Sequence, residues 1–267
     1  MLKYLNGLYC IHLELTSLCN KDCWMCGRRK VDRDFPQIAM NYGSMDFSLV
    51  EKIAAQVPEG IVVQFHNNGD PFMYRRLGDA ISLFERQIRC LDTNGKLLVE
   101  RASEVVDNLD SLTVSVIESD PEADEQYELV KKFLEIKGDR KPLMVYRLLG
   151  QVKDPGRWEA LGGVIARRIV HNPLGSFQYT RKPTVPEIGM CVELINHMAI
   201  NRFGKVSACV RFDPQGLGIL GDVNDSSLAD IWNGEKRQNW IELHKQGKRK
   251  DIPFCNKCDY WGVPTGN

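Results

Sequence analysis

The chain has 267 residues, and its 35 Lys and Arg residues balance 35 Asp and Glu residues, so its formal net charge is zero. This length allows one large α/β domain with or without a small second one, and the balanced charge gives no overall basic excess that would indicate binding of nucleic acid or an anionic membrane, although it leaves local basic patches open. The start, MLKYLNGLYCIHLEL, is polar where a secretion signal needs an apolar run, and no stretch reaches about 18 consecutive apolar residues. We therefore expect a cytoplasmic protein.

Short apolar or β-branched runs alternate with amphipathic stretches from residue 8 to about residue 170. The runs predict strands at residues 8–15, 60–66, 87–92, 111–117, 142–148 and 164–170. Helical patterns lie between them, as at residues 45–57, where Asp46 is placed to cap the helix, and at 75–87 and 121–137. Six strands in βα alternation predict an α/β fold, a partial (β/α)6-type barrel.

The pattern changes after Pro173, where HNPLGSFQYTRKPTVPEIG collects prolines, glycines and polar residues without periodicity. Such a segment is typical of a linker, so we predict a boundary near 175–188, with domains at 1–180 and 181–267. Beyond it we expect a hairpin at 197–209 that turns near Asn201–Gly204, and short helices within 226–234 and 235–247. The second domain is therefore predicted to be a small hairpin-plus-helix unit.

Seven of the nine cysteines stand in two spaced sets, which is typical of metal ligation rather than disulfide bonding in a chain with no predicted export signal. The sets are Cys19, Cys23, Cys26 and Cys191, Cys209, Cys255, Cys258. The other two, Cys10 and Cys90, lie inside apolar runs and are interpreted as small buried hydrophobes without chemistry.

The first set has C-x3-C-x2-C spacing in the loop after the first strand, where barrel active sites are built. Three thiolates can bind three irons of a [4Fe–4S] cluster and leave the fourth iron open. A zinc knuckle would need a fourth ligand, and the nearest histidine, His12, lies back in the strand. A thioredoxin-like Cys23–Cys26 pair would leave Cys19 idle.

The segment ELTSLCNKDCWMCGR resembles the signature loop of the radical SAM superfamily. The resemblance implies that S-adenosylmethionine (SAM) chelates the open iron and is cleaved reductively to a 5′-deoxyadenosyl radical, which abstracts a substrate hydrogen atom. The family usually has an aromatic residue just before the third cysteine, where this chain has Met25 preceded by Trp24. We expect the packing role to have shifted by one residue.

The same resemblance implies SAM contacts at the ends of later strands and in the loops that follow them. They are Asn68, Gly69, Asp70, Thr93, Asn94, Ser115 and Glu118, and Arg147 is a further candidate from its own position. By themselves Asn68-Gly69-Asp70-Pro71 and Thr93-Asn94-Gly95 are ordinary turns. Arg147, in the middle of a predicted strand, needs an anion, which SAM, a substrate or a structural ion pair would supply.

The second set can bring four thiolates to one site once the hairpin and the last helix fold together. The phrases CVELINHMAINRFGKVSAC, LGDVNDSSLADIWNG and FCNKC resemble the SPASM and twitch extensions of radical SAM proteins, over about 187–261. The resemblance implies one auxiliary [4Fe–4S] cluster, because no cysteine follows Cys258. A four-thiolate zinc site uses the same ligands and remains the alternative.

We expect an oxidoreductase-like enzyme that oxidises or rearranges a small molecule, as amino-cyclitol dehydrogenases do. The resemblance implies a flavodoxin or ferredoxin as electron donor. Modification of a peptide or protein is the second hypothesis, because such an enzyme can use a separate recognition protein. A non-catalytic, zinc-stabilised binding protein is the third. The sequence identifies no general base.

Overall fold

The computed structural model describes residues 4–39, 41–168, 170, 190–211, 213–256 and 258. Nine strands form one sheet in the order β6-β5-β4-β3-β2-β1-β7-β8-β9. Their bounds are β1 Cys10–Leu13, β2 Val62–Phe65, β3 Ile88–Thr93, β4 Ser111–Ile117, β5 Leu143–Leu149, β6 Val164–Arg168, β7 His197–Ile200, β8 Lys205–Ser207 and β9 Ile219–Asp222.

The first six strands are parallel neighbours in chain order, and each lies within or next to a predicted run. The predicted α/β fold with a partial (β/α)6-type barrel is confirmed. Within the described residues the sheet stays open, because β6 stands at one edge and β9 at the other.

Helices lie between the parallel strands along the chain, as parallel crossovers require. They are α1 Gly27–Asp34, α2 Phe47–Ala54, α3 Leu77–Ser82, α4 Ala102–Val105, α5 Ala123–Lys137, α6 Pro155–Glu159, α7 Val192–Asn196, α8 Leu228–Trp232 and α9 Glu235–Lys245, with 3-10 turns at Pro36–Ile38, Pro71–Met73 and Arg249–Asp251. The predicted cap is confirmed, since the Asp46 carboxylate accepts from the backbone N–H of Ser48 at 2.9 Å. None of the described helices combines the length and the apolarity that a membrane crossing needs.

The predicted hairpin is formed by β7 and β8, which pair antiparallel around a turn that the Gly204 N–H closes on the Asn201 carbonyl at 2.8 Å. The strand β7 also pairs in parallel with β1, so the hairpin extends the barrel sheet instead of standing apart from it. The predicted boundary at 175–188 lies outside the described residues.

The two faces of the sheet differ in polarity. Residues that face the helices, such as Ile11, Phe65 and Leu112, are fully buried in the main core. Alternate residues point to the other face, because side chains in a strand have a period of two. There the strands carry polar side chains, among them Gln64 and Asp92. This second face forms the wall of the candidate site.

Candidate cofactor site

A cavity of about 400 Å³ opens where the parallel strands end. Cys19, Cys23 and Cys26 line it, and so do Cys191 and Cys209 from the second cysteine set. Its volume lies in the usual range for small-ligand sites, about 300–1,000 Å³. The structure therefore brings the first cysteine set and two members of the second, more than 160 residues apart in the chain, to one cavity.

The first cysteine loop is anchored on both sides. The Lys21 ammonium lies 2.6 Å from the Asp120 carboxylate, and both side chains are only 4% exposed. The Trp24 indole N–H donates to the Glu118 carbonyl at 2.9 Å, and the Arg28 guanidinium donates to the Ser17 carbonyl. These contacts tie the loop to the end of β4 and to its own start.

The two residues before Cys26 have different surroundings. Met25 lines the cavity, whereas the side chain of Trp24 is 45% exposed on the outer side of the loop. Met25 therefore occupies the cavity-facing position, and Trp24 fixes the loop through its hydrogen bond to Glu118.

Gly69 and Asp70 pack directly against the first cysteine loop. Gly69 has φ +75°, and a Cβ built on it would lie 2.5 Å from the Leu18 carbonyl oxygen and 2.6 Å from that of Thr16. The Asp70 N–H also donates to the Leu18 carbonyl at 2.8 Å. Only glycine allows the two loops this close approach.

The Asp70 carboxylate is already satisfied by protein donors. It accepts from the backbone N–H of Phe72 at 3.0 Å, from the Thr93 hydroxyl at 2.9 Å and from the Asn94 N–H at 2.7 Å. Burial raises the pKa of Asp70, although these donors oppose the shift. Asp70 lines the cavity, but its visible role is to join the loops after β2 and β3.

Asn94 connects the loop after β3 to the first cysteine set. Its amide nitrogen lies 2.8 Å from the Asn20 side-chain oxygen and 3.8 Å from the Cys19 sulfur. Thr93 and Asn94 both line the cavity. An amide donor near a sulfur is the kind of contact that tunes an iron–sulfur cluster.

Asn68 lies on the cavity wall and holds a buried carboxylate. Its amide donates to the Glu14 carboxylate at 2.8 Å, and the Arg202 N–H donates to the other oxygen of that carboxylate at 3.3 Å. Glu14 is 1% exposed, and burial raises its pKa. Asn68 therefore links the end of β1 to the loop after β2.

Ser115 and Glu118, both predicted SAM contacts at the end of β4, have different positions. Ser115 lines the cavity and pairs in register with Arg147 of β5. The Glu118 carboxylate accepts from the Gln151 N–H instead, and the lining residues do not include it.

Arg147 lies on the cavity wall and forms an ion pair with Asp92. The Gln64 amide donates to the other Asp92 oxygen at 2.8 Å, and the His66 Nδ1 lies 3.7 Å from the carboxylate. Burial alone would raise the pKa of Asp92, but Arg147 and then His66 outweigh burial and lower it. The ion pair that the sequence left open is thus present inside the cavity.

This polar group was not predicted from the sequence. Gln64 in β2 and His66 directly after it are two residues apart, and Asp92 lies in β3, among apolar neighbours that face the helices. Polar residues with a period of two in otherwise apolar strands are the signal that predicts a polar inner face.

Cys191, Cys209 and Cys255 of the second set pack against one small core of Leu194, Ala208, Trp240, Ile252 and Phe254. Cys258 closes a turn on Cys255, because its N–H donates to the Cys255 carbonyl at 3.0 Å. Arg249 donates to the carbonyls of both. Three of the four predicted ligands therefore pack against one core, and the fourth is joined to Cys255 by the turn.

Several thiols of the two sets are difficult to ionise unless a cation is bound. Burial raises the pKa of Cys23 to about 12, and burial followed by the nearby Cys191 and Cys258 raises that of Cys255 to about 12. Burial also raises the pKa of Cys209. Such thiols ionise readily only when a metal takes the place of the proton. The donor sets fit one cluster with three thiolates and one with four.

Comparison with known proteins adds a family and a fold. The family model named SPASM, an iron–sulfur cluster-binding domain, matches residues 191–259. The S-adenosyl-L-methionine-dependent 2-deoxy-scyllo-inosamine dehydrogenase of Niallia circulans is similar, with 21% identity over 270 residues that cover 96% of this chain and 94% of that protein.

Two solved structures share the fold. The crystal structure of BtrN in complex with AdoMet and 2-DOIA has a TM-score of 0.60 and 18% identity, over 94% of this chain and 92% of that one. Streptococcus suis SuiB bound to S-adenosylmethionine has a TM-score of 0.63 and 12% identity, over 96% and 73%.

The C-terminal match is to an iron–sulfur cluster-binding domain, and the fold is shared with solved structures that contain AdoMet or S-adenosylmethionine. The expected radical SAM protein with a C-terminal SPASM domain is thereby confirmed. The characteristic cofactors of this class are SAM and [4Fe–4S] clusters.

Proposed function

We propose that the protein is a radical SAM enzyme that oxidises or rearranges a small molecule by removing a hydrogen atom, with an amino-cyclitol as the model substrate. The observation that carries this proposal is one cavity lined by the first cysteine set, by Cys191 and Cys209 of the second, and by a polar strand face. A dehydrogenase of 2-deoxy-scyllo-inosamine, similar along almost its whole length, supports a small substrate.

The ligand assignment is part of the proposal. Cys19, Cys23 and Cys26 would hold the catalytic cluster, and Cys191, Cys209, Cys255 and Cys258 the single auxiliary cluster. When bound, the catalytic cluster supplies the electron that cleaves SAM and yields the hydrogen-abstracting radical. The cavity residues Asn68, Gly69, Thr93, Asn94 and Ser115 would bind SAM through backbone and side-chain groups. Asp70 and Arg147 would shape this wall while bound to their protein partners.

Oxidation of an alcohol removes a hydrogen atom, an electron and a proton, and the proton needs a base. His66 lines the cavity, and the ionised Asp92 carboxylate near its Nδ1 orients the ring and favours the imidazolium. Burial, the largest effect, lowers the pKa of His66, so the ring is neutral at pH 7 and able to accept a proton. We infer that His66 takes the hydroxyl proton of the substrate.

We further propose that the enzyme works in the cytoplasm with a flavodoxin or ferredoxin as reductant, and that its chain divides near 180 into a barrel domain and a cluster domain. The family match beginning at Cys191 and the separate small core of the C-terminal residues support that division.

The first test is SAM cleavage by the anaerobically reconstituted, reduced protein. Replacing Cys19, Cys23 and Cys26 together by alanine should abolish 5′-deoxyadenosine formation, whereas the matched Cys90→Ala variant should retain it. Continued cleavage by the purified triple variant would refute the ligand assignment. Incubation with candidate amino-cyclitols and peptides, followed by mass spectrometry, then separates the two substrate classes.

The second test concerns the C-terminal set. A Cys255→Ala, Cys258→Ala variant should lose about four irons, as expected for one [4Fe–4S] cluster. It should still cleave SAM but return substrate that is not oxidised. Full iron together with lost zinc would contradict the assignment and support the zinc alternative, and normal product would assign the domain a structural role.

The third test concerns His66. The His66→Gln variant should form 5′-deoxyadenosine but lose substrate oxidation by about 10²–10⁴-fold, the usual contribution of a general base. The acidic limb of the pH–rate profile should disappear with it. An unchanged profile would exclude His66 as the base.

A further inference from the structure

A second group of metal-ligating side chains lies between the barrel and the C-terminal hairpin. One ligand atom each from Cys10, His12 and His197 lies within 4.8 Å of the others. Cys10 and His12 alternate along β1 and therefore share a face, and β7 pairs with β1 so that His197 stands beside Cys10. The register of the sheet thus fixes the cluster.

The two histidines have buried ring nitrogens without the hydrogen bonds that buried polar atoms normally make. The Nδ1 atoms of His12 and His197 are both buried, and neither has a hydrogen-bond partner among the described residues. The two rings lie 5.5 Å apart between centroids, and Cys10 is 5% exposed. A buried polar atom without a hydrogen-bond partner destabilises the fold, so the His12 Nδ1 within this cluster calls for an explanation.

A carboxylate stands behind this group. The Glu193 Oε2 lies 3.6 Å from the His197 Nδ1, and Glu193 also lines the cavity. A carboxylate behind an imidazole is the arrangement that orients metal-bound histidines and raises their basicity. Glu193 would therefore hold His197 with its other ring nitrogen, Nε2, as the ligand atom.

We propose that Cys10, His12 and His197 form a third metal site, distinct from both iron–sulfur ligand sets, that binds a zinc ion and fastens β1 to β7. One thiolate and two imidazoles are ligands that zinc prefers, and the fourth tetrahedral position is left to water. Binding would release the Cys10 thiol proton to solvent, so the site holds one thiolate and one divalent cation. Zinc–nitrogen distances near 2.0 Å and a zinc–sulfur distance near 2.3 Å in a tetrahedral site require ligand atoms about 3.3–3.6 Å apart, so separations near the 4.8 Å limit would have to shorten on binding.

The test uses the anaerobically reconstituted protein, in which iron occupies the other cysteine sets, with Co²⁺ as a spectroscopic probe and Zn²⁺ as competitor. We expect one Co²⁺ per chain, with sulfur-to-cobalt charge-transfer absorption that Zn²⁺ abolishes. The Cys10→Ser variant should lose this absorption, whereas the matched Cys90→Ser variant should keep it, and both should retain the iron of the wild type. Wild-type protein without the absorption, or Cys10→Ser protein that keeps it, would overturn the proposal.

A second measurement covers the case in which Cys10→Ser does not fold. The Glu193→Gln variant keeps all three ligands and should bind Zn²⁺ about 10- to 100-fold more weakly, as expected when an orienting carboxylate is lost. Its iron content should equal that of the wild type. Unchanged Zn²⁺ affinity would remove Glu193 from the site, and no Zn²⁺ binding by the wild type would refute the site as a whole.

Discussion

Replacement of Gly69 by alanine tests the close approach between the cysteine loop and the loop after β2. The new Cβ would lie 2.5 Å from the Leu18 carbonyl oxygen and 2.6 Å from that of Thr16, so backbone must move on one side or the other. Leu18 directly precedes Cys19 and also accepts from the Asp70 N–H. A shift of the Leu18 backbone would therefore displace Cys19, the first proposed cluster ligand.

The chain contains a matched control for this substitution. Gly60 has the same φ of +75°, and a Cβ built there would meet nothing within 4 Å. Both alanines bear the left-handed backbone conformation, about 1–2 kcal/mol, and both make the unfolded chain stiffer by the same amount. Only Gly69→Ala adds overpacking, about 1–3 kcal/mol. The difference in free energy of unfolding between the two variants therefore measures the steric contact at residue 69.

Urea unfolding under anaerobic conditions measures the free energy of unfolding, and 5′-deoxyadenosine formation measures the state of the site. We expect Gly60→Ala to cleave SAM at the wild-type rate and Gly69→Ala to be less stable by the additional 1–3 kcal/mol, with slower cleavage even when folded. Equal stability and equal cleavage in the two variants would refute the argument that this contact positions the cysteine loop.

Three further predictions concern side-chain contacts. Lys21→Met leaves the buried Asp120 carboxylate without its partner and should lower the free energy of unfolding in urea by about 3–5 kcal/mol; a loss below 1 kcal/mol would contradict this. Arg147→Met should lower the free energy of unfolding by about 3 kcal/mol, because the buried Asp92 carboxylate loses its guanidinium partner; the added Asp92→Asn change should recover part of this loss in a double-mutant cycle, whereas purely additive losses would refute the coupling. Ser227→Ala removes the cap that accepts from the Asp230 N–H and should cost about 1 kcal/mol, a loss that Ser227→Thr should largely avoid.

The strands of the barrel could be predicted because their signals are local. Each apolar run buries one face against helices, and the residues at Ser111–Ile117 were located without error at either end. The cap at Asp46 and the turn at Asn201–Gly204 depend on neighbours within four residues. Features that depend on such short-range interactions can be predicted from a single sequence.

Pairing between distant segments could not be read in the same way. Nothing near β7 indicates that it lies beside β1 in parallel, more than 180 residues away in the chain, because register is a property of two strands together. The short strand β9 was missed because Ile219–Asp222 has no alternation of its own and is held by β8. The helix α1 was missed because GRRKVDRD has no apolar periodicity.

The same distinction between local and long-range signals applies to the residues of the candidate site. The cysteine sets were found because thiolates at fixed spacing predict a metal site by themselves. Whether the charges of Asp70 and Arg147 are free to bind a ligand could not be predicted from the sequence, because it depends on partner residues from other strands. In the structure three donors satisfy the Asp70 carboxylate, and Asp92 neutralises the Arg147 guanidinium. A charged residue in a sequence motif therefore predicts which loop reaches the site. Whether that charge can bind a ligand depends on the protein partners that the fold places beside it.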